Sequence, residues 1–77
     1  MVTPIQSKMA RAALGWSTRD LAERAQVGSA TVNRFEKEAL ETSPATVEAI
    51  RRAFVTAGVE FLRGEGVRLA RKPEQTP

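Results

Sequence analysis

Asn33 and Arg34 stand side by side in a segment that also holds Ser29 and Ala30 one turn earlier and Lys37 one turn later. An asparagine amide can bond adenine at two points and a guanidinium can take both acceptors of guanine. An alanine methyl can meet the thymine methyl, and a serine at a helix start can reach phosphate or base. Whether these side chains share a surface depends on the period of the segment around them. Val32 and Phe35 are its large apolar residues. At about 100° per residue, a buried side centred between them turns Ala30, Asn33, Arg34 and Lys37 outward, with Ser29 at the flank. The pattern suits contact with the base edges of double-stranded DNA. An ordinary solvated polar face carries the same residue types, and this helix by itself does not separate the two readings.

Other chemistry is scarce. The 77 residues include no cysteine and no histidine. A disulfide framework, a thiolate nucleophile, a zinc site of the usual ligands and an imidazole base are therefore excluded. The carboxylates fall on helix surfaces without a base, a metal-ligand cluster or a phosphate loop beside them. The expectation is a protein that is not an enzyme and takes no cofactor, no metal and no small-molecule ligand. Twelve Lys and Arg against nine Asp and Glu give a net charge of +3, an excess that favours a polyanion only if it gathers on one surface. Lys8, Arg19, Arg34 and Lys37 are the candidates for such a patch, and Glu23, Glu38 and Glu41 dilute it. Apolar runs of a few residues fall far short of the roughly 20 that cross a bilayer, and the N-terminus has no basic segment followed by an apolar stretch. No membrane association and a cytoplasmic location are expected.

The elements that must position the outer face can be placed from their punctuation. With 42% hydrophobic and 27% charged residues, the chain has the composition of one globular domain with a thin core. Thr3-Pro4 opens a first helix, whose Ile5, Met9, Ala12 and Ala13 predict the buried side and whose stop is Gly15. Ser17-Thr18-Arg19-Asp20 has the form of a capping box and starts a second helix over Thr18 to Ala25, with Leu21, Ala22 and Ala25 inward. Gln26-Val27-Gly28 makes a tight connection to a third helix over Ser29 to Glu38. After a loop at Ala39 to Thr42, Ser43-Pro44 repeats the cap-then-proline signal. A fourth helix follows with a stripe of Val47, Ile50, Phe54 and Ala57, ended by Gly58. Val59 and Phe61, then Val67 and Leu69, alternate around Arg63-Gly64-Glu65-Gly66, which predicts a β-hairpin. Trp16 is expected to pack over the junction of the first two helices. Residues 1–58 thus form a helical domain, 59–69 a hairpin and 70–77 a mobile tail. Arg68, Arg71 and Lys72 make that tail either a basic arm for phosphate or a solubilising extension.

With those residues in place, WSTRDLAERAQVGSATVNRFEKE resembles the helix-turn-helix of the Cro/cI-type phage repressors, also called the XRE family. Leu21-Ala22, Val27, Val32 and Glu36 match its pattern in register, and the similarity runs from about Ile5 to Ala57. The resemblance implies a mainly α, four-helix, lambda-repressor-like domain, here with a short C-terminal β-hairpin. It implies base contacts from Ser29, Ala30, Asn33 and Arg34 and phosphate contacts from Thr18, with Arg19 and Lys37 as further phosphate candidates. It also implies a buried ion pair between Arg11 and Glu36, joining the first helix to the third. Two departures are visible. The family's turn glycine is Gln26 here, which requires either a left-handed residue or a different path. The family's fifth helix is replaced by the hairpin, so its dimer surface does not transfer.

A single module of this kind covers only roughly 600–1,000 Å² of DNA, so a homodimer on an inverted repeat is expected, with recognition helices about 34 Å apart. The hairpin is the candidate interface through Val59, Phe61, Val67 and Leu69, because two strands leave unpaired edges. The alternative is that this face folds back onto the first and fourth helices. A second functional reading keeps the scaffold without DNA binding, as an antitoxin-like or anti-activator protein-binding module. The two differ in salt dependence, steep for DNA and flat for a protein partner.

Overall fold

The computed structural model describes residues 1–37 and 42–70. The starts of the first, second and fourth helices are each fixed by a side chain at the N-cap. The Thr3 hydroxyl accepts from the Gln6 N–H at 3.1 Å, and Gln6 Oε1 accepts from the Thr3 N–H at 3.0 Å. That reciprocal box opens α1 (Pro4–Leu14), whose first residue lacks an N–H where none is needed. Ser17 and Asp20 repeat the box at 2.9 and 3.0 Å ahead of α2 (Thr18–Ala25). In α3 (Ser29–Lys37) the first bonds run from the Thr31 and Val32 N–H groups to the Gly28 carbonyl. Ser43 caps α4 (Pro44–Thr56) by accepting from the Thr46 N–H at 3.2 Å. Gly58, at φ 100°, then turns the chain in a direction that a side chain would resist. Strands β1 (Val59–Phe61) and β2 (Val67–Leu69) pair antiparallel, with Val59 opposite Leu69 and Phe61 opposite Val67. The expected last residue of the third helix, Glu38, most of the loop that follows it and the tail beyond Ala70 lie outside the described residues.

The core gathers Leu21, Val32, Ile50 and Phe54, all fully buried, with Ala10, Ala22, Val47 and Val59 around them. Phe54 is its centre. Trp16 stacks on it at 5.7 Å and Phe61 meets it edge-on at 6.1 Å. Trp16 thus covers the α1–α2 junction and reaches α4. The hairpin's apolar face points inward: Val59 is 4% exposed, and Phe61, Val67 and Leu69 pack partly buried on the same core against α4 and α1. Within the single chain this face therefore packs back on the first and fourth helices. Four short helices leave Phe54 uncovered without it.

The buried side of α1 is not the predicted one. Ile5 is 44% and Met9 37% exposed, and Ala12 and Ala13 also lie outside, while Gln6, Ser7 and Ala10 are buried. The reason is polar pairing. Gln6 Nε2 donates to the Gly66 carbonyl at 3.2 Å, and Ser7 Oγ donates to Glu36 Oε2 at 2.5 Å. A hydrogen-bond partner in place offsets the desolvation cost of burying a polar side chain, so the hydrophobic spacing of α1 misassigns its inner face.

Gln26 takes the left-handed conformation at φ 60°, the only non-glycine among the described residues to do so. Its N–H bonds the Glu23 carbonyl, and the Val27 N–H bonds the Ala22 carbonyl, which closes the last turn of α2. A left-handed residue with a Cβ costs roughly 1–2 kcal/mol, and glycine's greater freedom when unfolded offsets part of the relief. Gln26→Gly is therefore expected to raise stability by about 0.5–1 kcal/mol. Urea unfolding followed by the fluorescence of Trp16, the one tryptophan, measures it. A loss of stability would mean that Gln26 makes a compensating contact.

Candidate nucleic-acid interface

Helix α3 buries Val32 (0% exposed), Phe35 (7%) and Glu36 (4%) and leaves Ser29, Ala30, Asn33, Arg34 and Lys37 exposed. The structure thus brings the five predicted side chains of this helix onto one outer surface. Among the described residues, Asn33, Arg34 and Lys37 have no side-chain hydrogen bond or ion pair with the protein. Their donors are open to an external partner. Thr18 and Arg19 sit in the first turn of α2, half-buried and exposed respectively. In that turn Asp20 is held below the usual carboxylate range, first by the Ser17 backbone N–H and then by the Ser17 hydroxyl.

The back of α3 is anchored by a cluster of charge. Arg11 Nε donates to Glu36 Oε2 at 2.9 Å and Nη2 donates to Oε1 at 2.7 Å, a two-point match of guanidinium to carboxylate. Its Nη1 also donates to the Trp16 carbonyl at 3.1 Å, so one side chain ties α1, α3 and the α1–α2 turn. The hydrogen bond to Glu36 raises the Arg11 pKa against the opposing effect of partial burial. Ser7, absent from the sequence-based site, completes the cluster by donating to the Glu36 oxygen that also takes Arg11 Nε. The signal for it was available: Ser7 and Arg11 are four residues apart and share a helix face. Glu36, at 4% exposure, lies on the same inner side of α3 as Val32 and Phe35, opposite the outward-facing residues.

Positive charges elsewhere are partly cancelled. Arg51 and Arg52 share Glu48, and Arg68 pairs with Glu60. Arg19, Arg34 and Lys37, by contrast, have no carboxylate within 4 Å among the described residues, and Lys8 is likewise exposed and unpaired. The diluting Glu23 is exposed on α2, whereas Glu38 and Glu41 lie outside the described residues. No helix among the described residues is long and apolar enough to cross a membrane.

A family model described as helix-turn-helix matches residues 8–54. That span covers more than half the chain, runs from α1 to Phe54 and contains every residue of the outer α3 face together with Arg11 and Glu36. No curated protein matches the chain significantly.

Proposed function

Because the chain belongs to the XRE-type helix-turn-helix family and is a DNA-binding regulator of that kind, we propose that it recognises a specific operator as a homodimer. Each subunit lays α3 in the major groove of one half of an inverted repeat. The observation that carries this reading is the row of exposed side chains on α3, without partners among the described residues, in front of a buried, charge-locked back. Arg34 is assigned to guanine and Asn33 to adenine, with the Ala30 methyl and Ser29 hydroxyl on neighbouring base edges. Thr18, Arg19 and Lys37 hold the flanking phosphates and set register without reading sequence.

Two subunits are invoked because one module of this size covers too little DNA for tight binding. The hairpin is proposed to contribute the dimer contact. Val59 is buried within its own subunit, so that contact falls to what Phe61, Val67 and Leu69 leave exposed, to the free strand edges and to Leu62, which is 42% exposed.

Arg34→Ala is expected to weaken operator binding by about 1–3 kcal/mol and to relax preference at one base pair per half-site. Lys37→Ala should weaken all sequences alike and reduce the salt slope by about one. Titrations of labelled duplexes selected from random sequence, run at several salt concentrations, measure both. Undiminished affinity in Arg34→Ala removes it from the reading surface. Affinity that is flat with salt favours a protein partner instead of DNA.

A further inference from the structure

Between the end of α2 and the outer side of α4 lies an open groove of about 540 Å³, lined by Arg24, Ala25, Gln26, Ala49, Arg52, Ala53, Thr56 and Ala57. None of its residues belongs to α3, so it is separate from the proposed base-reading face. Its floor is alanine and its rims carry two arginines and no carboxylate.

Among the described residues Arg24 has no ion pair, and Arg52 has only a long one, to a carboxylate it shares with Arg51. Arg24 lies over the Trp16 ring, 4.6 Å from its centroid, with no carboxylate within 4 Å among the described residues. The ring face takes one side of the guanidinium, and among the described residues its N–H groups have no side-chain partner. Arg52 is 75% exposed and approaches Glu48 only to 3.7 Å, because both oxygens of that carboxylate are already taken by Arg51 at 2.9 and 2.6 Å. The arginines are not needed as helix caps either. The Ala22 and Glu23 carbonyls ending α2, and the Ala53, Phe54 and Val55 carbonyls ending α4, accept backbone N–H groups of the following residues.

We propose that this groove docks an acidic amphipathic helix of a partner protein, its small apolar face on the alanine floor and a carboxylate toward each of Arg24 and Arg52. Complementary charge selects the class: one guanidinium with no carboxylate beside it among the described residues and a second held only loosely by a shared one, flanking a trough of alanines, call for carboxylates flanking an apolar ridge. A DNA backbone supplies the anions but nothing to cover the floor. A partner seated here leaves α3 free, so DNA and protein can be held together.

The probe is a synthetic helical peptide with leucine and alanine on one face and glutamate on both flanks, titrated into the full chain. Amide shifts by NMR and Trp16 fluorescence are the readouts. Shifts are expected at Arg24, Ala49, Arg52 and Ala53 and not on α3, with binding weakened at least about tenfold when glutamine replaces the peptide's glutamates. Arg52→Glu, at an exposed position, should weaken binding comparably while the fold and operator binding persist. Ala53→Leu, which fills the trough, should do the same with the charges intact. Absence of groove shifts overturns the proposal, as does equal binding of the glutamine peptide. Shifts centred on α3 would show a general pull on anions, and loss of operator binding in folded Arg52→Glu would assign the groove to DNA phosphate. Either result also sinks it.

Discussion

Replacing Glu36 by alanine lowers stability by about 3–5 kcal/mol, because it strands a partly buried guanidinium and a buried hydroxyl rather than removing one weak surface pair. The carboxylate is 4% exposed and accepts three side-chain hydrogen bonds, two from Arg11 and one from Ser7. Domains of this kind are stable by about 5–15 kcal/mol, and a short chain lies toward the lower end, so the variant is expected to be largely unfolded at physiological temperature. Urea unfolding of the two proteins gives the difference, and a change below about 1 kcal/mol would show the pair to be solvated. A companion variant separates stability from geometry. Ser7→Ala, Arg11→Met and Glu36→Leu together replace the cluster with apolar side chains and should recover most of the loss. If the cluster orients α3, that triple variant folds yet binds its operator more weakly than the parent. Full operator affinity in the triple variant would confine the cluster to stability.

What could be foreseen from the residues follows from how far apart the interacting groups lie in sequence. The Thr3, Ser17 and Ser43 caps are bonds across three residues, and four consecutive letters specify them. The outer face of α3 follows from Val32 and Phe35 because both are large and apolar, and the one polar residue buried beside them, Glu36, lies on the same side and so leaves the outward face unchanged. The hairpin's alternation is equally local, but which way its apolar face turns depends on Phe54 needing a cover, a fact of assembly. Helix α1 failed for the same reason. Its inner side is chosen by bonds from Ser7 and Arg11 to a carboxylate 29 and 25 residues away, and from Gln6 to a carbonyl 60 residues away. A hydrophobic count sees Ile5 and Met9 and not those partners. The groove between α2 and α4 is a gap between elements, and no single segment encodes it.

Phe54→Ala should cost about 3–5 kcal/mol, the other change expected to bring this chain near its unfolding point. Phe54 is among the largest side chains with no exposed surface, and it is where three parts of the fold meet: the ring of Trp16 stacks on it and that of Phe61 packs against its edge. Truncation leaves a cavity that neither ring can fill without moving and removes both aromatic contacts, each worth about 0.5–1.5 kcal/mol beyond area. The Trp16 emission should shift even in the folded fraction, because its stacking partner is gone. Phe54→Leu keeps most of the volume and should lose markedly less. If instead both variants unfold alike, the ring contacts and not the filled volume hold the hairpin to the helices. Operator binding then separates support from recognition. Phe54→Ala should lose binding only in proportion to the unfolded fraction and regain it on cooling, whereas Arg34→Ala should melt like the parent and bind weakly at every temperature. A Phe54→Ala protein that is folded but cannot bind would place α4 and its aromatic cluster in the DNA contact itself, against the assignment of that contact to α3 and the first turn of α2.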